Sequence, residues 1–262
     1  MRNIKVTLIQ AELIWEDIAS NLSMFDTLIE DIRDDTQLVV LPEMFTTGFT
    51  MNAAHLSQDM EGSSIKWLCD KSRQKNVDIV GSIIASDKGK YYNRLIWAKP
   101  EGDMFIYDKK HLFRMAGEDK VYSAGNKNIT VELSGWRIRP FICYDLRFPL
   151  WTRNIDNTYD AAIFIANWPE RRSLHWKLLL QARAIENQCF VIGVNRVGTD
   201  GNGHPYNGDS SVIDPWGNIL FHKHNEPCTD TVELSYDVLA KCRESFPFWM
   251  DADKDMISLI EG

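Results

Sequence analysis

Three segments of the chain each carry a different reactive group to the end of an apolar run. Leu38-Val-Val-Leu-Pro-Glu43 places a carboxylate after a proline that ends the hydrogen-bonding ladder. Phe105-Ile-Tyr-Asp-Lys109-Lys-His runs a short strand into two lysines, and Arg139-Pro-Phe-Ile-Cys143-Tyr-Asp-Leu-Arg-Phe-Pro149 presents a thiol at a turn. A thiol at its ordinary pKa is only a few per cent thiolate near neutrality, so a base or a cation must activate it. A carboxylate in an apolar setting can take the thiol proton and later hand it to a leaving amine. An ammonium beside the sulfur can hold the oxyanion of a tetrahedral intermediate, with the backbone N–H of Tyr144 as a second donor. Such a set would perform acyl transfer through a thioester, with water as the second nucleophile.

Taken singly, each residue has a plainer reading. A cysteine at a strand end is commonly a small buried hydrophobe. A Pro-Glu pair is commonly a solvated loop acid, and paired lysines are commonly surface charge. What points to chemistry is their shared placement, because ligands of open α/β sheets collect outside the carboxyl ends of strands. The remaining cysteines, at 69, 189, 228 and 242, have no such flanks.

The elements that must hold these residues alternate in type. Strands are expected at Lys5–Gln10, Gln37–Leu41, Asp78–Ile84, Arg94–Ala98 and Asp103–Tyr107, then at Ile138–Cys143, Ala161–Ala166, Phe190–Asn195, Ser211–Asp214 and Ile219–His222. Helices are expected at Ile18–Arg33, Ser63–Lys75 and Leu174–Asn187, with a short one from Pro149. This alternation is that of an α/β domain with helices on the sheet faces. No Pro/Gly/Ser linker divides residues 1–262, so one domain is expected, with about 243–262 as a C-terminal arm or subunit contact.

Composition narrows the class. Hydrophobic residues make up 44% and charged residues 25%, as in ordinary soluble enzymes. The net charge of −8 disfavours nucleic acid and anionic membrane as partners. No window reaches the roughly 20 apolar residues of a membrane span. Five dispersed cysteines with no C-x-x-C pair suit neither a zinc site nor a disulfide scaffold, and a reducing cytoplasmic setting is expected.

The three segments resemble the nitrilase (carbon–nitrogen hydrolase) superfamily, which carries Glu after a strand, Lys two residues before a His, and a Cys-Tyr-Asp-x-Arg-Phe segment. That resemblance selects Lys109 over Lys110, and the intervals fit: 109 − 43 = 66 and 143 − 109 = 34 residues. Further matches follow in order along nearly the whole chain. Arg114-Met-Ala-Gly-Glu118, seven residues before Gly125, resembles the loop carrying an auxiliary glutamate. His175-Trp176 and Gln181–Gln188 resemble a packing and dimer helix, and Gly208-Asp-Ser210 with Pro215-Trp-Gly217 fits the Gly-x-Ser-x4-Pro-x-Gly signature. Two departures are Ala124-Gly125 in place of the frequent Pro-Gly, and Ala166-Asn167-Trp168-Pro169 at the end of the seventh expected strand.

The resemblance implies a four-layer αββα sandwich, paired as a homodimer, with Glu43, Lys109 and Cys143 catalytic and Glu118 and Tyr144 in support. It implies no metal and no cofactor. Glu43-Met-Phe-Thr-Thr-Gly-Phe49 and Ala166–Pro169 are similar to the bacterial ω-amidase branch, which hydrolyses the terminal amide of α-keto acid monoamides such as 2-oxoglutaramate and 2-oxosuccinamate. A small amide with a charged end needs a further cation. Arg114 and Arg147, or Arg171 and Arg172, are the candidates, and Phe45 and Trp168 are the expected walls of the pocket. Other carbon–nitrogen hydrolase activities (on deaminated glutathione, carbamoyl groups or nitriles) and a non-catalytic binding role are the alternatives.

Overall fold

A computed structural model describes residues 2–253. Its first sheet runs, in spatial order, Cys228–Leu234 (β13), Ile4–Gln10 (β1), Leu38–Val40 (β2), Asp78–Asp87 (β3), Lys90–Ala98 (β4) and Met104–Asp108 (β5). The second runs Val197–Thr199 (β10), Pro205–Ile213 (β11), Phe190–Asn195 (β9), Ala161–Ala166 (β8), Trp136–Ile142 (β7) and Val131–Leu133 (β6), with Ile219–His224 (β12) also paired to β11. Helices are Ile18–Glu30 (α1), Ala53–Leu56 (α2), Ser63–Lys75 (α3), Glu118–Val121 (α4), Ser173–Asn187 (α5) and Tyr236–Ser245 (α6).

Strand alternation explains the layering. In β2 and the residue after it, Leu38 and Val40 face one apolar core while Val39 and Leu41 face another. The first core lies between the sheets, where Val6, Leu8, Val80 and Trp97 meet Ile138, Ile142, Ile163 and Ile192. The second is closed by Phe25 and Ile29 of α1 with Ile65 and Leu68 of α3. On the far side, Trp176, Leu180 and Ala184 of α5 cover Phe141, Phe164 and Val191. The layers are therefore helix, sheet, sheet, helix: an αββα sandwich. With both faces of each sheet buried, its inner strands read as continuous apolar runs.

β1, β2 and β3 are parallel, as are β7, β8 and β9. β5 returns to the direction of β3 through two antiparallel steps. The carboxyl ends of β2 and β5 therefore share one edge of their sheet, and the second sheet contributes the ends of β7 and β8.

Several local expectations shift. The helix expected from Pro149 is instead a 3-10 turn at Cys143–Arg147, because Asp145 accepts from the N–H of Ile142 and winds the chain up immediately after β7. β6, β10, β13 and α6 were not anticipated. The expected arm begins inside α6, where Arg243 is anchored to Asp160 and to the carbonyls of Tyr159 and Gln188. Residues 254–262 of that expected arm lie outside the described residues.

One glycine fixes the end of β5. Gly125 donates to the carbonyl of Lys109 at 2.9 Å. A Cβ there would meet the Asp108 carbonyl oxygen at 2.1 Å. Gly125→Ala should therefore push Asp108 and Lys109 out of place, costing about 1–3 kcal/mol of stability. Calorimetry should show a lowered Tm, with activity falling further than that loss explains; unchanged values of both would contradict this.

Candidate active site

Glu43 follows Pro42 at the end of β2, Lys109 follows β5, and Cys143 follows β7. The fold brings all three together with Glu118, the first residue of α4. Lys109 Nζ lies 2.8 Å from Glu43 Oε1, and 2.9 and 3.0 Å from the two oxygens of Glu118. All three side chains are buried. Their charges sum to −1, so one ammonium cannot satisfy both carboxylates alone.

Neutral donors make up the difference. Asn93, in β4, donates to Glu43 Oε1 at 2.8 Å and to Glu118 Oε1 at 3.5 Å. The N–H of Asn167 donates to Glu43 Oε2 at 2.8 Å, and the N–H of Phe113 donates to Glu118 Oε2. Such satisfaction is what makes buried charge tolerable. Burial would strip the proton from Lys109, but Glu118 and Glu43 outweigh it and hold its pKa above the usual lysine value. Burial pushes Glu118 up, against the pull of Lys109.

Cys143 opens the 3-10 turn with φ +43°, a left-handed conformation that a side chain rarely adopts. Burial raises its thiol well above the ordinary value, and the Glu43 carboxylate adds to this while Lys109 opposes it. Cys143 Sγ lies 3.9 Å from the carbonyl oxygen of Asn167, the residue whose N–H is held by Glu43.

A second buried carboxylate ties the segments together. Asp145 accepts from Tyr107 Oη at 2.6 Å, from the N–H of His111 at 3.0 Å, from His111 Nδ1 at 2.8 Å and from the N–H of Ile142 at 3.1 Å. The His111 ring stacks on Phe148 at 3.7 Å and 8°.

Cys143 and Lys109 open into a cavity of about 510 Å³. Tyr144, Arg147 and Trp168 line it, as do Arg171, Arg172 and Phe49. Arg147 lies over the Trp168 ring at 4.6 Å, and Arg172 over Phe113 at 5.2 Å. Among the described residues, none of Arg147, Arg171 and Arg172 makes an ion pair. Burial, then the charges of Arg171 and Arg147, lower the pKa of Arg172.

Two expected pocket residues lie elsewhere. Phe45 is fully buried against Phe25 and Trp67, on the α1–α3 side of the first sheet. Its N–H is held by Ser82, and the chain reverses at Gly48, so Phe49 turns to the cavity instead. Arg114 is 87% exposed on a 3-10 turn, with Asp119 its ion partner at 3.8 Å. Asn93 carries no signal in the sequence, being one polar residue of β4; Asn167, His111 and Asp145 stand in the motif segments without an expected role. Among the described residues no group of three or more His, Cys, Asp or Glu side chains could hold a metal ion.

The chain is similar to known proteins along nearly its whole length. The carbon–nitrogen hydrolase family model matches residues 5–243. An ω-amidase, YafV, of Escherichia coli K12 is 49% identical over 97% of this chain and 98% of its own. A 2-oxoglutaramate amidase of Bacillus subtilis is 34% identical over 96% and 98%. A CN-hydrolase superfamily protein of Xanthomonas campestris, with an arsenic adduct in its active site, superposes with a TM-score of 0.95 at 40% identity, over 97% of this chain and 98% of that one.

The ion cluster generates a signed prediction. Lys109→Met leaves Glu43 and Glu118 buried without their cation, costing about 3–5 kcal/mol at pH 8. Without the lysine, Glu118, which burial already pushes up, would titrate further above its unfolded value. The penalty should therefore shrink as pH falls from 8 toward 5 and Glu118 takes up its proton. Thermal unfolding across that range checks it, and a pH-independent deficit would refute it.

Proposed function

The chain belongs to the carbon–nitrogen hydrolase family, and on that premise we propose that it is an ω-amidase acting on the terminal amide of α-keto acid monoamides such as 2-oxoglutaramate and 2-oxosuccinamate. The observation that carries the reading is the charge layout of the cavity. Cys143 and Lys109 line it, with Glu43 buried behind the ammonium; Arg147, Arg171 and Arg172 also line it, and none of the three has an ion-pair partner among the described residues, although Glu16 and Asp200 border the same space. A substrate with a neutral amide at one end and a carboxylate at the other fits that division. The relatives named for this activity support the same class.

In the proposed reaction Glu43 takes the Cys143 proton as sulfur attacks the amide carbon. With burial and Glu43 both raising the thiol's pKa, this transfer accompanies attack. The Lys109 ammonium and the N–H of Tyr144 stabilise the oxyanion. Glu43 then protonates the departing nitrogen, ammonia leaves, and a thioester remains. Water attacks it with Glu43 again as base, releasing the acid and restoring the thiol. Glu118 holds Lys109 charged and in place.

Two finer readings accompany this one. We propose a homodimer, supported by Leu174, Leu178 and Ile185, which stand exposed along α5. A cytoplasmic setting suits five free thiols. Light scattering should return twice the chain mass, and a monomer would remove the dimer reading.

The main test is ammonia release from 2-oxoglutaramate and 2-oxosuccinamate beside a simple nitrile and an N-carbamoyl amino acid. The keto acid amides should turn over fastest; equal or faster nitrile turnover would defeat the assignment. Cys143→Ala should abolish release with the fold intact. Arg172→Met should raise KM about tenfold or more, the effect of losing a charge-assisted hydrogen bond.

A further inference from the structure

We propose that Asp145 is the positioning residue that sets Lys109 against Cys143, acting through His111 and the N–H of Ile142. This rests on the reading of Lys109 and Cys143 as reaction partners. These two residues come from different sheets, so neither strand pairing nor local turn geometry fixes the gap between them. Asp145 spans that gap. One oxygen, Oδ1, takes both the N–H and Nδ1 of His111, two residues after Lys109. The other, Oδ2, takes Tyr107 Oη from β5 and the N–H of Ile142, the residue just before the nucleophile.

The same carboxylate therefore grips the chain on either side of Lys109, and on either side of Cys143 counting its own backbone. Tyr107 is held in turn, since Trp151 Nε1 donates to its oxygen at 2.9 Å. Asp145 is fully buried, and all four donors converge on a group that cannot turn away into solvent. The left-handed backbone of Cys143 needs such a clamp, because a strained residue persists only where its surroundings over-determine it. His111 contributes through both a hydrogen bond and its face-to-face contact with Phe148. The hydrogen bond is the part assigned to positioning.

A pair of variants separates these two contacts. His111→Phe keeps a ring on Phe148 and removes the Nδ1 donor; His111→Asn keeps an N–H close to Nδ1 and removes the ring. The main readout is the rate of Cys143 alkylation by iodoacetamide, followed by mass spectrometry, because it needs no assumption about substrate. His111→Phe and Asp145→Asn should be alkylated about tenfold or more slowly, since misplacement of order 1 Å carries such penalties. His111→Asn should stay within about threefold of the unaltered protein, its donor restoring the grip. On a turned-over amide the losses should appear in kcat, with KM little changed.

Should Asp145→Asn fail to fold, the two His111 variants decide alone. Equal losses in His111→Phe and His111→Asn, tracking Tm, would mean a merely structural role and overturn the proposal. So would undiminished alkylation in His111→Phe. If no amide in the substrate panel turns over, the ω-amidase reading fails, while the alkylation order still judges Asp145.

Discussion

Lys109 is an ammonium group buried at the edge of the cavity, and the site is arranged around keeping it charged. Two carboxylates are needed to outweigh its burial, yet two carboxylates around one cation leave lone pairs to satisfy. That shortfall explains why Asn93 and the backbone N–H groups of Asn167 and Phe113 all point inward. They are drawn from β4, from the end of β8 and from the turn after β5. The ion cluster thus requires both sheets at once. The long-range pairing of β1 with β13, across more than 200 residues, closes the sheet that carries Glu43 and Lys109.

The same excess of negative charge governs the thiol. Many reactive cysteines are activated by lowering their pKa beside a cation. The Cys143 sulfur instead has its pKa pushed up by burial and Glu43, against the pull of Lys109. It becomes a nucleophile when a carbonyl is placed so that oxyanion stabilisation by Lys109 and proton transfer to Glu43 develop together. Reactivity is then conditional on the substrate's geometry, which is why the relative placement of Lys109 and Cys143 matters so much.

Glu43 and Cys143 were legible because each stands at the end of an apolar run, whereas only the family resemblance chose Lys109 over Lys110. Asn93 was not, because the apolar run begins after it: the strand expected from Arg94 starts in fact at Lys90. Phe45 and Phe49 illustrate the same limit. Beyond Pro42 no alternation survives, and a reversal at Gly48 decides which ring meets the cavity. The arginines differ by their neighbours in space: Arg114 finds Asp119 in the adjoining α4, while Arg147, Arg171 and Arg172 crowd one another. The layer order was partly visible in the continuous apolar runs. β13 was not, since Cys228-Thr-Asp-Thr-Val-Glu-Leu234 has few apolar residues and is recruited by its partner β1.

The cavity's charge layout bears on turnover as well as recognition. On the proposed reading, an ω-amide of a keto acid would meet the arginines with its carboxylate and present a neutral group to Cys143 and Lys109. Hydrolysis replaces that neutral amide with a second carboxylate, beside Glu43 and Glu118, where a single lysine is already committed to two acids. Like charge in a desolvated site is costly. The arginines hold substrate and product alike, so they contribute binding common to both. The Cys143 and Lys109 end discriminates between the two, tolerating the amide and repelling the acid. One buried cluster would thereby hold the oxyanion donor in place and hasten product release, with no moving part required.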